Sequence, residues 1–132
     1  MQDRFKFKIW DKTEKKFLPL NSKTENTDFW ISIDNTGVYL VERDNARDVA
    51  FFTDITEDVI ILQCTGLSDK NGKEIYDKDI IKISEIKFLV NINLLNISLT
   101  NILNGDTIII NNVRIFNDSE VIGNKFECNT KI

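Results

Sequence analysis

Residues 86–110 read IKFLVNINLLNISLTNILNGDTIII, and this stretch decides the fold class. Its apolar residues keep one parity from Ile86 to Leu94 and the opposite parity from Leu95 to Leu99. Side chains of a β-strand alternate between two faces, so each part predicts a half-buried strand. The change of parity predicts a bulge, bend or turn at Leu94 and Leu95, because a one-residue slip would otherwise move the apolar face into solvent.

The sequence leaves one alternative open for this stretch and predicts two turns after it. Short apolar runs fit either period, so the alternative is a helix through Ile92, Leu95, Leu99 and Ile102. Asn104 with Gly105 predicts a hairpin, and Asn111 with Asn112 predicts a second tight turn. Strands are expected at 107–110 and 113–116. The result is an antiparallel meander over 86–126, which favours a small barrel over an open sheet with bare edges.

The preceding part of the chain also predicts strands. Period-two alternation indicates a strand over 4–10, and branched or aromatic runs indicate strands at 29–33, 37–41 and 59–64. Asp34 to Thr36 supplies the turn between the second and third of these strands. One helix is predicted over 44–52, where Ala46, Val49 and Ala50 have helical spacing behind a possible Asp44 cap. We therefore expect a mainly β protein, a β-rich α+β fold with at most one or two short helices.

Composition limits the chemistry that this chain can perform. The 132 residues are 42% hydrophobic, which is enough for a single domain over 1–132 with its own core. The sequence has no histidine and two cysteines, which removes Ser/His/Asp and Cys/His devices and most zinc sites. Asp77 and Asp79 form the one carboxylate pair worth weighing, and we interpret both as solvated turn residues. The expectation is a protein that is not an enzyme, with no catalytic residue, metal or cofactor.

The sequence predicts a cytoplasmic protein with no membrane segment. Residues 1–10 alternate charged and aromatic side chains and contain no apolar run of signal-peptide length. The longest aliphatic run, 59–62, is far shorter than the roughly 20 residues of a membrane helix. Cys64 and Cys128 are interpreted as reduced thiols, buried or inert.

Charge is concentrated in an acidic spacer over 25–58. This segment holds nine carboxylates and two arginines, so its net charge is −7. The rest of the chain carries +3, and the two sum to the net charge of −4. The balance argues against bulk binding to nucleic acid or anionic membranes. Aromatic residues lie among the acids, a combination suited to a basic surface on a partner protein, although a solvated acidic surface is the alternative. The predicted partner-binding residues are Asp44, Asp48, Glu57, Asp58 and Trp30.

Three blocks of sequence resemble one family. The central block is TGLSDKNGKEIYDKDIIK at 65–82, the opening block is FKFKIWD at 5–11, and the closing block is EVIGN at 120–124, followed by Phe126 and Glu127. Together they resemble the signature of the YopX family of small phage and prophage proteins. We call residues 65–83 the signature segment. The residues of the fold signature are Thr65, Gly66, Asp69, Asn71, Gly72, Ile75, Tyr76, Asp79, Gly123 and Asn124.

The resemblance implies a mainly β fold with a barrel of the SH3-like kind, inside an infected or lysogenic bacterium. It implies no particular activity. The sequence departs from the family at Lys78, where the family usually has glycine, so that either the turn is not left-handed or Lys78 is strained by about 1–2 kcal/mol. The family's proline near the C-terminus is replaced by residues 128–130. Local backbone bonds and buried strand positions explain the signature segment as a folding motif without a ligand.

Function is expected to be binding to an unidentified host or phage protein. A narrower hypothesis is an inhibitor of a host defence nuclease, like an anti-CRISPR protein, acting through the acidic spacer 25–58. Another is a small barrel that binds single-stranded nucleic acid through Lys12, Lys15 and Lys16 with Trp10 and Phe17 exposed. Nucleic acid is the less favoured partner. A homo-oligomer is plausible for a strand-rich protein with uncovered edges.

Overall fold

The computed structural model describes residues 6–93 and 96–127. The chain forms two compact units: Ile9–Ile61, here the spacer unit, and the described parts of Met1–Lys8 and Leu62–Ile132, here the signature unit. The chain passes between them within two strands, β1 (Phe7–Asp11) and β7 (Val59–Ser68). The single domain expected over 1–132 stays a prediction. The strands expected at 4–10 and 59–64 are confirmed in their described residues.

The spacer unit begins with a hairpin between β1 and a short strand, β2 (Lys16–Leu18). Asp11 ends the first strand because its carboxylate accepts the backbone N–H groups of Thr13 and Glu14 at 2.9 and 3.1 Å. This local bonding competes with continued strand pairing and turns the chain. The hairpin therefore follows from the side chain at its corner.

Most of the spacer unit is an antiparallel sheet with the order β3-β4-β5-β6. Its strands are β3 (Asn21–Lys23), β4 (Thr27–Asp34), β5 (Gly37–Asp44) and β6 (Val49–Asp54). The Asp34 carboxylate accepts the N–H groups of Thr36 and Gly37 at 2.7 and 3.2 Å, which confirms the predicted turn between two strands. A single-turn 3-10 helix, η1 (Thr56–Asp58), follows β6.

The predicted helix over 44–52 is wrong, because β5 continues to Asp44 and β6 begins at Val49. The Asp44 carboxylate accepts the N–H groups of Ala46 and Arg47 at 3.0 and 3.3 Å, as a helix cap would. However, Asp48 has a φ of 54°, in the left-handed region, and a right-handed helix does not continue through it. The branched and aromatic residues that follow then favour a strand.

The signature unit is built on a five-stranded antiparallel sheet, curled into a half-barrel, with the order β12-β11-β10-β9-β13. A short strand, β8 (Glu74–Tyr76), pairs with β7 outside this sheet. The five strands are β9 (Asp79–Ile83), β10 (Ile86–Ile92), β11 (Ile97–Asn101), β12 (Thr107–Ile109) and β13 (Ser119–Asn124). The core of this unit consists of Ile75, Ile81, Val90, Leu99 and Phe116.

The stretch that decides the fold forms strands, and the alternative helix through Ile92 and Leu99 is wrong. β10 pairs with β11 in a register that places Ile92 opposite Ile97. Between these strands the Asn93 side chain accepts the N–H of Asn96 at 3.0 Å. The bulge or turn predicted at Leu94 and Leu95 falls on residues outside the described ranges.

The end of the predicted meander differs from expectation. Gly105, with a φ of 80°, and its N–H bond to the Asn101 carbonyl at 2.8 Å confirm the hairpin at 104–105. The strand predicted over 113–116 is wrong, because these residues belong to a 3-10 helix, η2 (Val113–Asp118). The Asn112 side chain caps it by accepting the N–H of Arg114 at 3.0 Å. The mainly β fold class, with short helices, is confirmed.

Candidate functional site

Asp69 is the residue on which the signature segment is organised. Its side chain is buried, and its Oδ1 accepts the backbone N–H groups of Asn71 and Lys73, both at 2.9 Å. Its Oδ2 accepts the N–H of Val121 in β13, also at 2.9 Å. Burial raises the pKa of this carboxyl, but the three N–H donors outweigh burial and hold the pKa below its usual value. The carboxylate therefore joins a local turn to a distant strand.

Thr65 and the glycines shape the backbone around Asp69. The buried Thr65 hydroxyl donates to the Ile75 carbonyl at 2.8 Å and accepts the N–H of Leu67 at 3.0 Å. Gly66 and Gly72 have φ of 85° and 81°, in the region that only glycine enters without strain. The β7–β8 register shifts between Cys64 and Ser68, so the extra backbone is absorbed in the stretch that contains Gly66.

Tyr76 and Asp79 form a buried polar pair in the same segment. Asp79 is 5% exposed, and its Oδ2 accepts the N–H of Tyr76 at 2.8 Å. Burial raises the pKa of Asp79 from 3.8 to about 6, against the opposing effect of the Tyr76 N–H and the Lys8 charge. Burial and the Glu74 carboxylate raise the pKa of Tyr76, whose ring lies 4.3 Å from the Lys8 ammonium. The interpretation of Asp79 as a solvated turn residue is wrong.

Asp77 and Asp79 do not act as a pair. Asp77 Oδ1 accepts the N–H of Ile92 at 2.9 Å, whereas Asp79 bonds Tyr76 in its own turn. Each carboxylate therefore holds a different piece of backbone.

At the closing block, the buried Asn124 side chain accepts the N–H groups of Phe126 and Glu127 at 2.8 and 3.1 Å. The preceding Gly123 lies where the β13–β9 register shifts.

The signature residues thus bond backbone groups of their own unit. Within 6–93 and 96–127, no group of three or more Cys, Asp and Glu side chains is placed to hold a metal ion. Cys64 is a buried free thiol, whereas Cys128 lies outside the described residues. The polar side chains of this segment form hydrogen bonds with backbone groups and hold that backbone in place.

Exposed aromatic rings lie on the sheet of the spacer unit, which we call the acidic sheet (β3–β6). The register places Trp30 opposite Val41 and Val41 opposite Phe52, and cross-strand partners share a face. Val41 is fully buried, whereas Trp30 is 37% and Phe52 is 66% exposed. Phe51, opposite Glu42 on the other face, is 54% exposed. The sequence placed Phe51 and Phe52 among the aromatic residues of the acidic spacer but not among the predicted partner-binding residues.

The predicted partner-binding carboxylates lie at the two ends of β6. Asp44 and Asp48 flank the turn before it, where they form ion pairs with Arg47 at 2.8 Å and Arg43 at 2.5 Å. Glu57 and Asp58 belong to η1, after the strand. Six residues at about 3.3 Å each make β6 roughly 20 Å long, so the structure does not gather the four carboxylates at one point. Trp30 lies between the two groups, on the middle of β4.

The aromatic residues proposed for nucleic-acid stacking do not both meet that role. Trp10 is only 3% exposed, and its ring contacts Phe17 edge-on at a centroid distance of 4.9 Å. A base cannot stack on a buried indole, so the expectation that Trp10 is exposed is wrong. Phe17 remains partly exposed on β2, next to Lys15 and Lys16.

Comparison with known protein families now bears on the signature segment. A family model described as YopX protein matches residues 6–130. This chain belongs to the YopX family. The match covers the acidic sheet as well as the three blocks that carry the resemblance. The recognition made from those blocks is confirmed.

Other comparisons with this YopX-family chain add little. It is similar to the crystal structure of protein EF1440 from Enterococcus faecalis, with 19% sequence identity over 92% of this chain and 93% of that chain and a TM-score of 0.46. No curated protein matches it. In the part of the chain that the structure describes, no helix has the length and apolar character needed to cross a membrane.

The departure from the YopX pattern at Lys78 leaves the turn left-handed. Lys78 has a φ of 67°, a region in which an L-residue is strained. Its N–H donates to the Val90 carbonyl at 2.8 Å, and its carbonyl accepts the N–H of Lys125 at 2.9 Å. Its ammonium donates to the Asn91 side chain at 2.7 Å. Contacts with three neighbouring residues therefore hold a lysine in a conformation suited to glycine.

Proposed function

We propose that this YopX-family protein is a small phage- or prophage-encoded binding protein that acts on a host or phage protein, without chemistry of its own, in the bacterial cytoplasm. One observation carries the proposal: Trp30, Phe51 and Phe52 are exposed on the acidic sheet among carboxylates. Aromatic side chains are enriched in protein interfaces because each removes a large apolar area from water on binding.

The charge of the acidic sheet supports a partner with a basic surface. Thr36 lowers the pKa of Asp34, Arg47 lowers that of Asp44 and Thr56 lowers that of Asp54, in each case chiefly through a side-chain hydrogen bond. These carboxyls therefore stay ionised at every pH at which the cell lives. The electric field of a negatively charged surface speeds its encounter with positively charged partners and disfavours negatively charged ones.

A host defence nuclease is the narrower form of this proposal. Proteins that handle nucleic acids line their channels with Lys and Arg to neutralise phosphates. A negatively charged sheet with exposed aromatic rings is suited to enter such a channel in place of a nucleic acid. This form makes an additional demand, which is that binding of this protein and of nucleic acid exclude each other.

The proposal is tested by capture from the bacterial host during infection, with three tagged baits. The first is the natural protein, the second carries Glu57→Lys and Asp58→Lys, and the control carries Glu85→Lys and Asp106→Lys, two exposed acids of the signature unit. Both variants change the net charge equally. We expect the natural protein and the control to recover the same partner, and the Glu57/Asp58 variant to recover at least tenfold less.

Circular dichroism of each bait checks that the charge reversals leave it folded. Equal recovery by the two variants contradicts a role for the acidic spacer 25–58, to which Glu57 and Asp58 belong, and no specific partner for any bait contradicts the proposed function. The nuclease form is then examined with the purified partner, by adding a DNA or RNA oligonucleotide. Displacement supports this form, while simultaneous binding removes it and leaves the general proposal intact.

A further inference from the structure

β6 is an edge strand that leaves its outer side open. It ends the acidic sheet, and within 6–93 and 96–127 no further strand pairs beyond it. All six of its residues, VAFFTD, are exposed. Exposed apolar edge strands are templates for pairing with another chain, and proteins usually blunt them with proline, lysine or a bulge. The sequence of β6 contains none of these devices.

The hydrogen-bond alternation identifies which backbone groups point outward. Ile55, directly after β6, donates its N–H to the Val38 carbonyl at 2.9 Å, so this pair is a hydrogen-bonded one. In an antiparallel ladder such pairs alternate with pairs whose N–H and C=O groups face away from the partner strand. The β5–β6 register then directs the backbone groups of Ala50, Phe52 and Asp54 away from β5.

The side chains of β6 suit an added strand on both faces. Phe51 and Phe52 are adjacent, so their rings project to opposite faces. An added strand would place one residue against each ring, removing from water phenyl groups that are now 54% and 66% exposed. Main-chain bonds would supply affinity, and these two rings would supply preference for apolar or aromatic neighbours.

Charge selects among the possible occupants. Asp48 precedes β6 and Asp54 ends it. The ion pair with Arg43 offsets part of the charge of Asp48, whereas Thr56 holds the pKa of Asp54 below its usual value. If a second copy paired antiparallel about Phe51, Asp48 of one copy would lie opposite Asp54 of the other. If it paired about Phe52, the same carboxylates would be diagonal neighbours. Like charges in these positions disfavour pairing, whereas lysine or arginine there favours it.

We propose that the outer edge of β6 accepts an extended, basic segment of a partner protein as an additional antiparallel strand. That segment carries lysine or arginine near Asp48 and Asp54, about six residues apart, and an apolar or aromatic residue opposite Phe52. The inference rests on the proposed binding function and specifies where and what the partner contacts. It makes the pattern of a binding sequence predictable.

The test uses a displayed library of random decapeptides, selected on the immobilised full chain. Two variants serve as a matched pair: Ala50→Pro removes an outward N–H without touching the β5 ladder, and Ala50→Ser retains that N–H. We expect enriched peptides with two basic residues about six apart around an apolar centre. They should bind Ala50→Ser like the natural protein and Ala50→Pro about tenfold more weakly, as expected for the loss of one hydrogen bond.

Hydrogen exchange with the best peptide supplies a second measurement. The N–H groups of Ala50 and Phe52 should become protected on binding. Enriched peptides without basic residues, equal binding to the two Ala50 variants, protection elsewhere, or no enrichment each overturn the proposal. Sedimentation of the free protein tests the other occupant: self-association that Phe52→Lys abolishes would assign the edge to a second copy.

These outcomes are distinguishable from failure of the proposed function. If capture from the host depends on Glu57 and Asp58 but Ala50→Pro captures as well as Ala50→Ser, the function stands and the edge-strand inference falls. If no partner is captured but basic peptides bind at β6, the edge-strand inference stands and the proposed function falls.

Discussion

The signature segment and the acidic sheet use their side chains in opposite ways. Around 65–83 the polar side chains turn inward, where Asp69, Thr65 and Asp79 bond backbone groups. On the acidic sheet the side chains of Trp30, Phe51 and Phe52 are 37%, 54% and 66% exposed. The difference teaches that polar side chains of the motif by which the family is recognised bond the backbone of their own unit. The surface that we propose for contact with a partner lies in the spacer, outside the three blocks that carry the family resemblance.

The largest expected effect tests the inward half of this comparison. Asp69→Ala leaves the N–H groups of Asn71, Lys73 and Val121 without their carboxylate, and unsatisfied buried donors are costly. We expect a loss of about 3–5 kcal/mol in the free energy of unfolding, measured by urea denaturation. Asn71→Ala is the matched control, because Asn71 contributes its backbone N–H and its side chain is exposed. Similar losses in both variants would contradict a hub at Asp69.

The next effect is a dependence of stability on pH. Asp79 holds its proton up to a pH of about 6 in the folded chain and up to about 3.8 when unfolded. The unfolded state therefore binds fewer protons between these values, and this carboxyl makes stability fall as pH rises from about 4 to about 6. Asp79→Asn, whose amide oxygen can still accept the Tyr76 N–H, should remove that fall and gain about 3 kcal/mol at pH 7 relative to the natural protein.

The measurement is urea denaturation of the natural protein and Asp79→Asn across pH 4 to 7. Asp69 gives the opposite sign, because its lowered pKa makes it lose stability as pH falls below about 4. Parallel profiles for the two proteins between pH 4 and 6 would show that Asp79 is not the titrating group.

A smaller effect concerns the left-handed lysine in the signature unit. Lys78→Gly relieves strain at φ 67° but loses the ammonium bond to Asn91, whereas Lys78→Ala loses the same bond and keeps the strain. We expect the glycine variant to be more stable than the alanine variant by about 1 kcal/mol, from thermal or urea unfolding. Equal stability would mean that the neighbouring bonds impose no strain at this position.

The smallest effect on stability is expected on the acidic sheet. Phe51→Ser and Phe52→Ser change exposed side chains, so each should alter the free energy of unfolding by less than about 0.5 kcal/mol. Val41→Ser, on the fully buried neighbour of Phe52, should cost several times more. If Phe51→Ser or Phe52→Ser lowered stability as much as Val41→Ser, the phenyl rings would be stabilising the fold, and the contrast between the two regions would fail.

Much of the fold could be predicted because most strands show a local alternation of apolar and polar residues. The strands on either side of Asn93 follow from a period-two pattern, and the hairpin at Gly105 follows from residues that tolerate positive φ. The two errors arose where a local signal was ambiguous. Asp44 forms the same bonds at a strand turn as at a helix start, and Asn112 caps a 3-10 turn in a run that is apolar enough for a strand.

Less of the candidate site could be predicted, because its contacts are distant in sequence or depend on exposure. The composition of the signature segment indicates local bonds at Asp69, but no pattern points to Val121 as its third donor. The acidic residues were visible as a charge run, yet the rings of Phe51 and Phe52 mattered only once 49–54 became an edge strand. A pattern identifies faces and turns, whereas an open edge is a property of the assembled sheet.

The bond from Val121 to Asp69 also has a consequence for the order of folding. Two of the carboxylate's donors are two and four residues away, but the third is 52 residues away. The near donors can bind as soon as the turn forms, while the distant one requires closure of a long loop as β13 pairs with β9. The burial of one side chain is thus completed in two steps, an early local one and a late one. We expect amide exchange at Val121 to report the second, and at Asn71 the first.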